Sequence, residues 1–346
     1  MDPQRFLILL THSSRPVDFA QCDEAVLRRR YASPDRLKSL PPFESLASIE
    51  KFRMYSGGVS ALELSLSDRQ VDLRLLRSFD PGIKLQHVAI CGDRLIGCLE
   101  DALVCVDRLD SLADPTVLRP GSAARIDDPW FAGLHTAFAV GPNLVVVSAS
   151  AADAVLWVDL ERRCVTQRTR LFTARCGANY VLAPDMDLRS HFLHNDLQVA
   201  HLNCAWPHHD RVYVSSLIGG NIVRLDTDGS QTPLISGYVG CHGARITKGG
   251  EMLYFADSCH GRLVICDLNG AIRSTFTIDS KWLHDVHHVT DNIFLFCASD
   301  RNRLDLIDVS RKRTLVSRNF DDCGASLQFL SVQPLEASLP EFMNAN

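Results

Sequence analysis

Residues 242–276, HGARITKGGEMLYFADSCHGRLVICDLNGAIRSTF, carry the pattern that decides the fold. Four short hydrophobic runs, at 242–247, 252–257, 262–267 and 271–276, are separated by turns rich in Gly, Asn and Asp. Runs of this length between such turns are typical of consecutive antiparallel β-strands. The stretch therefore predicts one four-stranded antiparallel sheet.

The same sequence pattern recurs along the chain: a His, a series of hydrophobic strands, and an Asp at the following turn. The five pairs are His87 with Asp107, His135 with Asp159, His201 with Asp226, His242 with Asp267, and His284 with Asp308. By subtraction of these positions, His and Asp are 20, 24, 25, 25 and 24 residues apart. Four-stranded units repeated every ~40 to 50 residues are typical of β-propeller blades. The sequence therefore predicts an all-β propeller.

A sixth blade is predicted from the two ends of the chain. A ring of sheets leaves no exposed edge only if its last sheet is completed by the other terminus. Residues 326–332 would form the inner strand of this blade, followed outwards by 6–10, 60–66 and 71–79. We therefore expect one six-bladed domain over residues 1–346, with five or seven blades as alternatives.

Two insertions interrupt the repeat. The first, 12–57, lies within the closing blade and has helical patterns over 23–31 and 43–54. The second, 168–199, lies between two blades. In a propeller, the connections between blades and the second hairpin of each blade emerge on the same face. Both insertions are therefore expected to cover one mouth of the central channel.

Composition excludes several classes of protein. The chain is 46% hydrophobic and 22% charged, which is ordinary for a soluble globular protein. A net charge of -5 with scattered Lys and Arg does not support nucleic-acid binding. The apolar run 6–10 is too short for a signal peptide or a membrane span. Twelve Cys without a CxxC motif indicate reduced thiols and a cytoplasmic location.

The run 254–270, YFADSCHGRLVICDLNG, resembles the blade consensus of NHL and SMP-30/gluconolactonase-like propellers. In that consensus an Asp-rich hairpin precedes a strand and an Asp-x-x-Gly turn. The similarity is good over 201–310 and loose elsewhere. SMP-30-like enzymes bind a divalent metal through a Glu, Asn and Asp set that has no match here. The His at each blade start looks more like the His-lined metal sites of carotenoid-cleaving oxygenases and certain propeller lyases.

The blade-start His residues form the candidate metal site. His135, His201, His242 and His284 occupy equivalent positions, and His87 joins them if its blade is shifted by one residue. Neutral imidazoles suit Fe(II), Zn, Cu or Ni. The predicted cofactor is therefore a divalent metal ion, with Fe(II) first and Zn, Mn or Cu as alternatives. The competing interpretation is that a repeated His satisfies strand-end backbone groups without any metal.

Other polar residues are candidates around this site. His12 and His260 lie at second-hairpin positions on the same face and could act as general acid or base. Arg245 and Asn203 follow the blade-start His residues and could bind a substrate carboxylate or carbonyl, with Arg245 also a catalytic candidate. An interblade salt bridge is the alternative for Arg245.

Asp285 and His287 share the strand of His284. Each is interpreted either as a partner that orients a ligand or as an interblade hydrogen-bonding residue, the second being favoured for Asp285.

These features predict a metal-dependent enzyme that acts on a small organic molecule or a modified peptide. Oxygenase chemistry at a non-haem Fe(II) is the first hypothesis, and a metal-assisted lyase or isomerase is the second. A non-enzymatic propeller that binds a protein partner is the third. A Ser or Cys hydrolase is disfavoured because no GxSxG motif is present.

Overall fold

The computed structural model confirms the six-bladed β-propeller. It describes residues 4–14, 17–31, 41–49, 55–67, 70–107, 114, 117–119, 121–171, 183, 185–320 and 326–335. Within these ranges, 24 strands form six four-stranded antiparallel sheets. No helix in this part of the chain is long and apolar enough to cross a membrane.

The closing blade joins the two ends of the chain. Its strands are β1 (Gln4–Ser13), β2 (Gly57–Leu66), β3 (Val71–Phe79) and β24 (Ser326–Pro334), in the order β24-β1-β2-β3. The C-terminal strand β24 is innermost and pairs with β1, with Leu10 opposite Leu330. This is the predicted arrangement, and it closes the ring through backbone hydrogen bonds between the first and last strands.

The other five blades follow one another along the chain. The first two contain β4 (His87–Cys91), β5 (Arg94–Cys98), β6 (Leu103–Val106) and β7 (Ala124–Ile126), and then β8 (Leu134–Gly141), β9 (Leu144–Ala149), β10 (Ala154–Asp159) and β11 (Cys164–Arg170). The next two contain β12 (Leu202–His208), β13 (Arg211–Ser216), β14 (Asn221–Asp226) and β15 (Gln231–Ile235), and then β16 (Cys241–Ile246), β17 (Met252–Asp257), β18 (Arg262–Asp267) and β19 (Ile272–Thr277). The last contains β20 (Leu283–Thr290), β21 (Ile293–Ala298), β22 (Arg303–Asp308) and β23 (Arg313–Asn319). In each blade the first strand is innermost.

The core lies between neighbouring blades. Along β1, Phe6, Ile8 and Leu10 pack against the blade of β20, whereas Leu7 and Leu9 pack against the blade of β4. Successive side chains of a strand point to opposite faces, so a strand between two blades is apolar on both. This is why the run 6–10 is continuously hydrophobic.

The first insertion forms the helix α1 (Glu24–Tyr31) after a 3-10 helix at Phe19–Cys22. Asp23 caps α1, since its Oδ1 accepts hydrogen bonds from the amides of Ala25 (2.9 Å) and Val26 (3.3 Å). The helical pattern over 43–54 gives only a 3-10 helix at Phe43–Ser45, and 50–54 lie outside the described residues.

A contact between the two insertions explains why the helix does not continue. The amide of Ile49 donates to the carbonyl of Arg189, and the amide of Phe192 donates to the carbonyl of Ala47, both at 2.8 Å. The backbone of 47–49 therefore pairs with the second insertion instead of with its own preceding turn.

Candidate functional site

A cavity of about 580 Å³ lies at one mouth of the propeller channel. Its floor is formed where the inner strands begin, and both insertions contribute to its cover: Phe19 and Tyr31 come from the first and Phe192 from the second. Small-molecule sites typically enclose ~300 to 1,000 Å³. The cavity therefore has the size of a site for a small organic molecule.

Six residues, one from each blade, form a ring in the floor of this cavity. We call it the cavity ring, and its members are Gln86, His135, His201, His242, His284 and Gln328. The imidazoles of His135 and His201 are in edge contact, with 4.9 Å between centroids, and those of His242 and His284 are also 4.9 Å apart. The four His residues aligned in the sequence thus meet at one cavity, as two contacting pairs.

His87 lies outside the cavity ring. Gln86 takes the ring position of its blade, and His87, one residue further along β4, is buried between blades. Its Nδ1 accepts a hydrogen bond from the amide of Ala137 at 3.4 Å, and its ring contacts Phe138. Because its side chain faces the neighbouring blade, the ligand role predicted for His87 has no support from its position.

Burial favours the neutral form of three imidazoles of the cavity ring, those of His135, His242 and His284. Burial lowers the pKa of His242 to about 4. Burial also holds the pKa of His135 and of His284 well below the ordinary value, and the nearby charge of Lys84 adds to this effect. An ammonium group and several imidazoles share one covered site, so a further positive charge there is unfavourable.

Two hydrogen-bond contacts define the tautomer of His242. The Nδ1 of His242 lies 3.0 Å from the carbonyl of Gly240 and 2.9 Å from the hydroxyl of Ser258. A carbonyl can only accept, so Nδ1 carries the hydrogen and Nε2 is the accepting nitrogen. In His135, Nδ1 is buried and has no hydrogen-bond partner among the described residues.

A partly buried ion pair lies beside the cavity ring. The Nζ of Lys84 is 3.4 Å from Oε1 of Glu100, and the side-chain amide of Gln86 donates to the same oxygen at 2.6 Å. Lys84 is only 7% exposed, and Lys84, Gln86 and Glu100 all line the cavity. The floor therefore offers one positive charge, one negative charge and several neutral donors and acceptors.

The geometry of the cavity ring differs from that of a preformed metal site. Among the described residues, no group of three or more His, Cys, Asp or Glu side chains is arranged to hold an ion. The apolar ring of Phe329 packs against His284, His135 and His242, with centroid distances of 4.8, 5.6 and 6.3 Å. In this conformation the imidazoles do not fit a shared ion, and the metal cofactor stays a prediction.

Below the cavity the channel is filled with side chains, which we call the packed channel: Phe138, Trp206, Arg245, Asp285 and His287. The guanidinium of Arg245 binds the carboxylate of Asp285, donates to the carbonyl of Val286 at 2.7 Å, and lies 5.5 Å from the centroid of Phe138. Both Arg245 and Asp285 are completely buried. This is the interblade salt bridge that was the alternative for Arg245.

Asn203 is also used within the fold. Its side-chain amide donates to the carbonyl of Cys241 at 2.6 Å, and its Oδ1 accepts from the hydroxyl of Ser215 at 2.5 Å. Asn203 and Arg245 are buried and do not line the cavity. The substrate-binding roles predicted for them, and the catalytic role of Arg245, have no support from these positions.

The two hairpin His residues lie near the cavity but not in its wall. The ring of His12 packs on Gly58, where an added Cβ would stand 2.0 Å from Cε1 of His12, and burial lowers its pKa. His260 bridges two carboxylates, with Nδ1 3.0 Å from Asp257 and Nε2 3.1 Å from Glu24 of α1. Neither contact gives the imidazole access to a ligand, so their predicted catalytic roles are unsupported.

Comparison with known proteins gives the fold and no family. No family model matches the sequence, and no curated protein matches it. Among solved structures, virginiamycin B lyase from Staphylococcus aureus matches with a TM-score of 0.51 and 10% identity, covering 79% of this chain and 92% of that one. A chain of a nidogen/laminin complex matches with a TM-score of 0.55 and 12% identity, covering 79% and 94%.

These likenesses show the fold alone. A structure of streptogramin B lyase matches similarly, with a TM-score of 0.51 and 10% identity over 80% of this chain and 90% of that one. The structural neighbours thus include a lyase and a chain from a complex between proteins. The resemblance to NHL and SMP-30-like propellers stays a prediction.

Several site residues were missed from the sequence. Gln86 and Gln328 lie at the ring positions of their blades, but the repeated His that marks this position in the other four blades is absent from both. Lys84 and Glu100 come together through the β4–β5 hairpin and carry no motif. Trp282 and Tyr55 add aromatic surface to the wall without any sequence signal.

Proposed function

We propose that this protein is an enzyme that moves a proton on a small organic molecule held in the cavity, as a lyase or an isomerase. The observation that carries the proposal is the set of four imidazoles, three of them buried, that line one cavity. A neutral imidazole accepts a proton near neutral pH and gives it back once charged. Burial lowers the pKa of His135, His242 and His284, which keeps these imidazoles unprotonated but also makes them weaker bases.

The proposed chemistry begins with a carbon-bound proton next to a carbonyl group. An imidazole nitrogen takes the proton, and the electron pair of the C–H bond moves toward the carbonyl. Charge developing on the carbonyl oxygen is stabilised by the ammonium of Lys84, which is held in place by Glu100. In a lyase the electron pair then expels a leaving group from the adjacent carbon, whereas in an isomerase the proton returns at another position.

The cavity wall supports a substrate with one polar group and an apolar part. The floor is polar, through the cavity ring and the pair of Lys84 and Glu100. Five aromatic residues also line the cavity, beside polar ones such as Asp18, Gln21 and Arg30: Phe19, Tyr31, Tyr55, Phe192 and Trp282. The aromatic side chains give the apolar part of a substrate a surface on which to pack. The lyase named among the structural neighbours is consistent with this class of reaction.

Metal dependence, with Fe(II) as first choice, remains a second proposal for the same cavity. Neutral imidazole is the form that binds Fe(II), Zn or Cu, and four imidazoles line one cavity. Against it stands the packing of Phe329 among three of these rings. The proposal needs side chains to turn, so we derive no reaction step from a metal.

The test is a search for proton exchange catalysed by the cavity ring. Untagged protein is incubated in D2O with a panel of esters, lactones and hydroxy acids, and each compound is followed by mass spectrometry. We expect deuterium uptake or loss of a leaving group with at least one compound. Each His of the cavity ring is replaced singly by Gln. Replacement of the His that acts as acid or base should lower this rate by about 100-fold.

Gln is a matched replacement because the fold already has Gln at two ring positions, and His209→Asn at an exposed turn is the control. Elemental analysis and the same assay after chelation separate the two proposals. Stoichiometric metal with chelator-sensitive activity favours the metal enzyme. Wild-type protein that changes no compound, or ring variants as active as His209→Asn, would contradict proton transfer by the ring.

A further inference from the structure

His201 differs from the rest of the cavity ring in its backbone. Its φ is +55°, in the left-handed region, although it is not glycine and is only 5% exposed. Of the six ring residues, all of which are described, it alone has a positive φ. Such a conformation is unfavourable for a residue other than glycine and persists only where the surroundings impose it. A His that merely began an inner strand would not need it.

The carboxylate of Asp153 imposes this conformation. Its Oδ2 accepts from the amide of Val199 at 2.9 Å, and its Oδ1 accepts from the amides of Ala200 (3.1 Å) and His201 (2.7 Å). Asp153 is only 2% exposed and has itself a φ of +47°. Three hydrogen bonds to one buried carboxylate thus fix the backbone immediately before β12.

The side chain of Gln198 fixes the imidazole. Its Nε2 donates to the carbonyl of Leu193 at 2.6 Å, which sets the orientation of the amide. Its Oε1 is therefore the atom that lies 2.6 Å from Nδ1 of His201. An amide oxygen can only accept, so Nδ1 carries the hydrogen and Nε2 is the accepting nitrogen of the ring.

We infer that His201 is the proton-accepting residue of the cavity and that Gln198 is the residue that positions it. The inference rests on the proposed function and names the base within it. Nε2 takes the proton of the substrate carbon, and the electrons of that C–H bond stay on the substrate. The imidazolium so formed keeps its Nδ1–H donated to Gln198, whose carbonyl dipole stabilises the new charge.

The tautomer of His201 can be measured without a substrate. In protein labelled with 15N-histidine, long-range 1H–15N spectra report which ring nitrogen carries the hydrogen, and His201→Gln assigns the signal. We expect His201 to be the Nδ1–H tautomer in the wild-type protein. In Gln198→Leu the acceptor is gone, and we expect a mixture of tautomers for His201 with the signal of His242 unchanged.

Two further variants distinguish positioning from folding. Gln198→Glu keeps an accepting oxygen, so the Nδ1–H tautomer should persist and the pH at which His201 titrates should rise. Gln328→Leu is the control: it removes a glutamine of the cavity ring and should leave the tautomer of His201 unchanged. Where a substrate is known, Gln198→Leu should lower kcat by about 100-fold with little change in KM, since a base in the wrong tautomer does not accept the proton.

An Nε2–H tautomer in the wild-type protein, or an unchanged tautomer in Gln198→Leu, would overturn the inference. That failure is distinct from failure of the proposed function. An inactive cavity with the expected tautomer contradicts the enzyme and leaves the positioning intact. Activity that survives His201→Gln but is lost in another ring variant contradicts the choice of His201 alone.

Discussion

The cavity ring and the packed channel are two polar layers on the same axis, built by the same inner strands. In the packed channel, Arg245 and Asp285 bind each other, and backbone amides and carbonyls form most of their other hydrogen bonds. In the cavity ring, imidazoles and amides face a space of about 580 Å³ under an aromatic cover. The ring of Phe329 packs against three imidazoles of the cavity ring.

Polar residues on the axis of this propeller divide between those that stabilise the fold and those that face the cavity. His284 and Asp285 are neighbours in the sequence and point to different layers. His284 lines the cavity, whereas both carboxylate oxygens of Asp285 accept hydrogen bonds from the protein. A buried polar group bound on all sides stabilises the fold, and one that faces a cavity is available to a ligand.

The largest effect is expected from breaking the packed channel. Asp285→Ala removes the partner of a completely buried guanidinium, and an uncompensated buried charge costs about 3 to 5 kcal/mol. Urea unfolding measures this loss. The matched variant is His284→Gln, one residue away in the cavity ring, which should cost less than about 1.5 kcal/mol. Equal losses for the two variants would show that the layers do not differ in this way.

A smaller effect on stability is expected from a change of pH, and it arises from His242 in the cavity ring. The pKa of His242 is about 4 in the folded protein and near 6.5 when unfolded, so the unfolded chain binds more protons between these values. The stability contributed by neutral His242 is complete above about pH 6.5 and is lost as the pH falls toward 4. His242→Gln should flatten this dependence by up to about 1.4 kcal/mol per pH unit.

The measurement for His242 is urea unfolding of both proteins at several pH values between about 7.5 and 5. The exposed variant His209→Asn serves as the control, and its pH dependence should follow that of the wild-type protein. If His242→Gln loses stability with acid as steeply as the wild type, His242 is not held neutral by the fold.

The fold was predictable because its signals are local and repeated. The regular spacing of His and Asp predicted the blades, and the hydrophobic run 6–10 predicted the second strand of the closing blade. The recurring Asp residues act at turns as expected: Asp159 accepts from the amides of Glu161 and Arg162, and Asp267 from those of Asn269 and Ala271.

The candidate site was predictable only in part, and β-bulges explain where the alignment failed. The inner strands β8, β12, β16, β20 and β24 each have a register shift, whereas β4 pairs with β5 without one. His87 therefore faces the neighbouring blade and Gln86 faces the cavity. A bulge depends on backbone geometry that one sequence does not reveal. The pairing of Gln198 with His201 depends in the same way on the path of the second insertion.

The smallest effect on global stability is expected at the cover of the cavity. The packed channel is held by buried contacts, but helix α1 is held partly by exposed ones, among them Glu24 with His260 and Arg28 with the carbonyl of Gly237. Exposed polar contacts contribute about 0 to 1 kcal/mol even when they are ion pairs, so His260→Ala should barely change global unfolding. It should instead increase the local opening of α1, because weakly held segments open independently of the core. Hydrogen exchange of residues 18–31 measures this opening, and residues 252–256 of β17, in the blade that contains His260, provide the internal control. Unchanged exchange over 18–31 would show that the hydrophobic contacts of Leu27 and Tyr31 alone hold the cover closed.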